Sequence, residues 1–161
     1  MAVKVGCISL GCPKNLVDSE IMLGLLNNDK YEITVNLPEA EVIIVNTCAF
    51  IGDAKEEAVD TILEVSRYKQ DGKLRALIVT GCLAQRYRDE IINEIPEVDA
   101  VLGTGSIPDI ERVIASHLTG KRDQRLFVDE LRDVDYLDNL RMLSGKGASQ
   151  FLKIAEGCSN F

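Results

Sequence analysis

A single histidine, no clean Cys-x-x-Cys pair and no long apolar run are the main absences from this 161-residue chain. His117 alone gives Ser-His-Asp catalysis no support, and it lies far in sequence from every cysteine. Within an amphipathic helical stretch beside Leu118, it reads as a helix-surface or partly packed residue with no catalytic duty. The missing Cys-x-x-Cys pair excludes a thioredoxin-type active site. No run is long enough to span a bilayer, and the first apolar stretch, Val3–Leu10, is short and interrupted by Lys4, so neither a membrane nor a secretory signal is expected. The net charge is −8, from 18 basic and 26 acidic residues, so the sequence predicts no basic face for DNA or tRNA. A basic protein partner suits that balance better. Phosphate loops are missing too. Gly103-Thr104-Gly105-Ser106 has Pro108 where the dinucleotide fingerprint needs its last glycine, and reads as a helix-entry turn. Gly145-Lys146-Gly147 has no strand before it.

What is present is an alternation of short β-branched runs with helical patterns. Strands are expected at Val3–Leu10, Tyr31–Val35, Glu41–Thr47, Leu74–Thr80 and Asp99–Leu102, with helices between them. The continuous apolar centre of Glu41–Thr47 fits a parallel strand covered on both faces. Asp53 with Glu56 makes a capping-box variant, and Ala54, Ala58, Ile62 and Val65 follow as a helical stripe. A helix is expected from Leu83 to about Glu94, and a last one capped by Ser106, with Pro108 in its first turn and Gly120 at its end. The fold class is α/β, a doubly wound, mostly parallel sheet of about five strands with flanking helices. Domain boundaries are expected at 1–120 for this unit, 121–149 for an edge segment and linker, including Leu126–Val128 and the Ser144–Ser149 stretch, and 150–161 for the first strand of a truncated second domain.

Five cysteines, an odd count without an export signal, read as reduced thiols in the cytoplasm. Cys7, in mid-strand, reads as a small buried hydrophobe. Cys12, Cys48 and Cys82 differ: each ends a strand-like run and precedes a helical one, at separations of 36 and 34 residues. The carboxyl ends of parallel strands line one crevice, so these three thiols are expected to converge there. Three thiolates with an open fourth position suit a metal, most naturally an iron–sulfur cluster. Three separate buried cysteines, a three-cysteine zinc site and a redox pair are the alternatives. Gly11 and Gly81, just before two of the thiols, would let the backbone approach a bulky ligand. Asn15, Asn46 and Thr47 stand beside the cysteines, either to donate hydrogen bonds to cluster sulfurs or to satisfy loop backbone.

Ser9–Glu20 (SLGCPKNLVDSE), Val45–Ile51 (VNTCAFI), Thr80–Arg86 (TGCLAQR) and Leu152–Cys158 (LKIAEGC) together resemble the methylthiotransferases, radical S-adenosylmethionine enzymes. The resemblance spans the chain with four motifs in the family's order. It implies that Cys12, Cys48 and Cys82 hold an auxiliary 4Fe–4S cluster with one iron free of protein ligands. It also implies that Cys158 is the first ligand of a second 4Fe–4S cluster, the one that works on S-adenosylmethionine, whose motif runs beyond Phe161. Cys-Pro-Lys-Asn at Cys12–Asn15 resembles the branch that methylthiolates an aspartate of a small-subunit ribosomal protein. A tRNA-directed member of the family and a noncatalytic α/β binding module are the competing readings. By this resemblance the radical chemistry belongs to missing domains, and the fragment alone is expected to be inactive, without direct nucleic-acid binding.

Overall fold

The computed structural model describes residues 1–50, 52–120, 124–128, 140–144, 147 and 149–155. Its framework is a six-stranded, all-parallel sheet: β1 (Val3–Ser9), β2 (Tyr31–Ile33), β3 (Val42–Thr47), β4 (Ala76–Gly81), β5 (Ala100–Leu102) and β6 (Leu126–Phe127). The order across the sheet is β2-β1-β3-β4-β5-β6. All six residues of β3 and all six of β4 are buried, as central strands covered on both faces must be. Alternate residues serve opposite layers. Val42, Ile44, Ala76 and Ile78 pack under α1 (Pro13–Leu25) and α6 (Ile110–Leu118). Ile43, Val45, Leu77 and Val79 pack under α2 (Gly52–Ser66), α4 (Cys82–Arg86) and α5 (Arg88–Glu94), with the short α3 (Tyr68–Asp71) following α2.

Several expectations are corrected. The sheet has six strands where about five were expected, and the sixth lies in the expected edge segment, where Leu126–Phe127 pairs with β5. The helix expected from Leu83 breaks at Tyr87 (φ −120°, ψ 32°), and the bend keeps Leu83, Ala84 and Ile91 against the sheet. Ser106 and Pro108 lie in a 3-10 turn, Thr104–Asp109, and α6 starts only at Ile110 with no side-chain cap bond. Residues 151–155 form no strand: strand pairing needs a neighbour, and among the described residues they have none.

Within the stretch expected as an edge segment and linker, residues 140–144 pack on α1. In α1 the consecutive residues Val17, Asp18, Ser19, Glu20, Ile21 and Met22 are all buried, which one-sided packing of a helix on a sheet cannot produce. On its outer side α1 is contacted by Leu140, Arg141, Met142, Ser144 and Lys153. Glu20 accepts hydrogen bonds from the Ser144 amide (2.8 Å), the Ser144 hydroxyl (2.6 Å) and Arg141 Nε (2.8 Å). Burial pushes the Glu20 carboxyl up, but the Ser144 donors and the Arg141 guanidinium outweigh it and hold the group below its ordinary value. Lys153 Nζ donates to both oxygens of Asp18, at 2.7 and 2.8 Å.

Candidate metal centre

From β1 the chain passes to the edge strand β2, whereas from β3 onward strands are added on the opposite side. The reversal between β1 and β3 is the topological switch point, and ligands of open parallel sheets bind in the crevice outside the carboxyl ends there. Cys48 and Cys82 directly follow β3 and β4, and Cys12 is the N-cap residue of α1, three residues after β1. The ladders pair Ser9 with Asn46 and Thr47 with Gly81. Continuing those registers sets Cys48 beside Cys82 and Gly11 beside Cys48, one strand spacing (about 4.8 Å) apart.

Two glycines make this convergence possible. Gly11 (φ +86°) and Gly81 (φ +94°) occupy left-handed backbone that other residues avoid. A Cβ at Gly11 would lie 2.4 Å from Cys48 Cβ and 3.0 Å from its Sγ, and one at Gly81 would lie 2.2 Å from the Thr47 carbonyl oxygen. The close approach the glycines permit is therefore of one cysteine loop to the next.

The three cysteines line one cavity of about 610 Å³. Pro13, Ala49, Phe50 and Ala54 supply apolar wall, and the charged side chains on the lining, Lys14 and Arg86, are both basic. Sequence reasoning did not single out either cation. Arg86 carried a usable signal, since it follows Cys82 by four residues and so shares its helix face. Cys48 is buried, Cys12 and Cys82 are half-buried, and no disulfide joins the four described cysteines.

Asn15, Asn46 and Thr47 brace the loops behind this cavity. Asn15 Nδ2 donates to the carbonyls of Leu10 (3.0 Å) and Thr47 (2.8 Å). Asn46 Nδ2 donates to the Asn15 carbonyl (2.7 Å) and Ser19 Oγ (3.0 Å), and Thr47 Oγ1 to the Thr80 carbonyl (2.5 Å). Each donor is spent inside the protein, tying the segment after β1 to β3 and β3 to β4.

The remaining site candidates lie elsewhere. Cys7 is in mid-β1, and burial pushes its thiol up to about 11, so it is no thiolate at neutral pH. Cys158 lies outside the described residues. His117 is buried, not on the helix surface. Its ring nitrogens contact the carbonyls of Val113 (2.9 Å) and Asp99 (3.0 Å), and Asp99 immediately precedes β5, at the sheet end opposite the cysteines.

The donors that line this cavity are three soft thiols. Soft thiolates select zinc, copper(I) or iron–sulfur centres, and no carboxylate or imidazole lines the cavity among the described residues. A tetrahedral zinc with Zn–S near 2.3 Å needs its sulfurs only about 3.8 Å apart. Among the described residues no three potential ligands are gathered closely enough to hold one metal ion. In a cubane cluster each thiolate binds a different iron, so its ligands stand further apart, around a cavity.

The family model described as uncharacterized protein family UPF0004 matches residues 4–103, which include Cys12, Cys48 and Cys82. The chain belongs to this family. It is 54% identical over 99% of its length to a ribosomal protein uS12 methylthiotransferase RimO of Acetivibrio thermocellus. Proteins of the same name from Lachnoclostridium phytofermentans (54% over 97%) and Geobacter sulfurreducens (50% over 98%) match it similarly. The chain covers 36%, 35% and 35% of these three relatives, so it spans about a third of their length.

Proposed function

We propose that this chain is the auxiliary-cluster domain of a radical S-adenosylmethionine methylthiotransferase that modifies an aspartate of the small-subunit ribosomal protein uS12. The observation that carries the reading is the meeting of Cys12, Cys48 and Cys82 in one cavity at the β1/β3 switch point. The three thiolates would hold a 4Fe–4S cluster, and Cys158 would be the first ligand of a second one. When bound, the auxiliary cluster would supply a site for the sulfur to be transferred, and the second cluster would supply radical chemistry with S-adenosylmethionine.

The chain's own contribution is binding and placement. Asn15, Asn46 and Thr47 lock the three cysteine loops to one another, so the thiols are presented without reorganisation. Pro13, Phe50 and Ala54 give the cavity an apolar wall, and Lys14 and Arg86 would place positive charge beside an anionic centre. Among the described residues no helix is long and apolar enough to cross a membrane, and action on a ribosomal protein would be cytoplasmic work. The net charge of −8 suits a basic ribosomal protein better than tRNA.

The test incubates the full-length protein, loaded anaerobically, with reductant, S-adenosylmethionine and either uS12 or tRNA, with mass spectrometry as readout. A methylthio group on a uS12 aspartate is the expected result, and the 161-residue chain alone is expected to give none. Methylthiolation of tRNA instead, or turnover by the 161 residues alone, would overturn the assignment.

A further inference from the structure

The segment covering α1 is held by features unlike a passive linker. It is anchored at two carboxylates, Asp18 and Glu20, each at most 2% exposed, and its cations come from 121 and 135 positions further along the chain. Arg141 connects the segment's two ends: its Nε donates to Glu20 and its Nη1 to the Phe151 carbonyl at 2.8 Å. The Met142 amide donates to the Glu20 backbone carbonyl at 2.9 Å. Backbone contact is flush at Gly24, where a Cβ would sit 2.1 Å from the Leu140 carbonyl oxygen.

The alternation along residues 151–155 is inverted relative to an ordinary surface strand. Lys153 is the buried residue, its side chain wholly enclosed against Asp18, while its neighbours Leu152 and Ile154 are 81% and 84% exposed. A buried charge that lost its partner would be strongly disfavoured, so Lys153 fixes this segment in one register on the helix. The other end of the same helix is Cys12, about 9 Å of helical rise from Asp18. One rigid rod thus carries a cavity thiol at its start and the anchor for the chain approaching Cys158 along its side.

We infer that α1 is a docking rail, and that Asp18 and Glu20 are positioning residues that fix where the chain toward Cys158 leaves the three-cysteine domain. This rests on the proposed function in taking Cys12, Cys48 and Cys82 as ligands of one cluster and Cys158 as a ligand of the second. The docking sets the direction of the Leu152/Ile154 apolar edge, and with it the place of the domain that continues from there relative to the cysteine cavity.

The test uses hydrogen–deuterium exchange on the wild-type chain and on Asp18→Asn, Glu20→Gln and Gly24→Ala. Gly24→Ala favours the helix itself while its methyl blocks the Leu140 carbonyl, so loss of docking there cannot be ascribed to a failed fold. Amides of Met142 and Ser144 are expected to exchange at least tenfold faster in Glu20→Gln and Gly24→Ala, with β3 and β4 amides unchanged. Unchanged exchange at Met142 and Ser144 would overturn the docking. A second measurement takes the full-length protein with both clusters reduced and follows their magnetic interaction by electron paramagnetic resonance. The variants are expected to change that interaction while keeping iron content and each cluster's own signal. Faster exchange with an unaltered interaction would overturn the positioning role. A wild-type protein that binds no cluster would sink the proposed function instead, and the exchange result alone would then decide the docking.

Discussion

Anaerobic reconstitution with iron and sulfide should load about four irons per chain, and Cys12→Ala, Cys48→Ala or Cys82→Ala should each abolish that uptake. The effect is all-or-none because the proposed site has three protein ligands and, among the described residues, no substitute. The cavity lining offers no carboxylate or imidazole among the described residues, and the only histidine is bound to backbone carbonyls at the other end of the sheet. Cys7→Ala and Cys158→Ala should retain the iron. Cys7 is a mid-strand thiol held neutral by burial, and the family resemblance assigns Cys158 to the second cluster. Iron analysis of the five variants checks the expectation. Retention in any of the first three, or loss in Cys7→Ala with the fold intact, would remove the three-thiol site.

The second large effect is on stability. Gly81→Ala forces a side chain into φ +94° and drives its Cβ to 2.2 Å from the Thr47 carbonyl oxygen and 2.5 Å from Asn46 Oδ1. Left-handed strain of about 1–3 kcal/mol adds to an overpacking cost of about 1–3 kcal/mol. Neither neighbour yields cheaply. Thr47 is in the last rung of the β3–β4 ladder, and Asn46 is held by Asn15 and Ser19. Thermal unfolding of Gly81→Ala is expected roughly 10 °C below wild type, at about 2–4 °C per kcal/mol for a chain of this size. Gly120→Ala is the informative control. Gly120 also has positive φ (+81°), but a Cβ there would meet nothing within 4 Å, so strain acts without the clash and the loss should be smaller. Equal losses at the two sites would show that the cysteine loops are not tightly packed.

How much was legible follows from which interactions are local. The strands β3 and β4 announce themselves through unbroken apolar runs, and the position of Cys48 and Cys82 one residue past them is a property of the sequence. Parallel connectivity then brings the strand ends together, so the three-cysteine cavity was within reach of sequence reasoning. The docking of residues 140–144 and Lys153 on α1 was not. Asp18 and Glu20 look like ordinary helix-surface acids in sequence, and only partners more than a hundred residues away bury them. Lys153, flanked by Leu152 and Ile154, reads as the polar interruption of a strand, whereas it is the residue that faces the protein. The roles of Asn15, Asn46 and Thr47 were open for the same reason. Their residue type allows either cluster contacts or backbone bracing, and the three-dimensional path of the Leu10, Thr47 and Thr80 carbonyls commits their donors to bracing.

The most direct measurement of the central claim is the Mössbauer spectrum of the chain reconstituted anaerobically with isotopically enriched iron. Three thiolates around one cavity predict a cubane cluster in which one iron of the four differs from the rest, and addition of a small thiol should shift that iron alone. A mononuclear iron–thiolate signal, or a folded chain that takes up no iron, would contradict it.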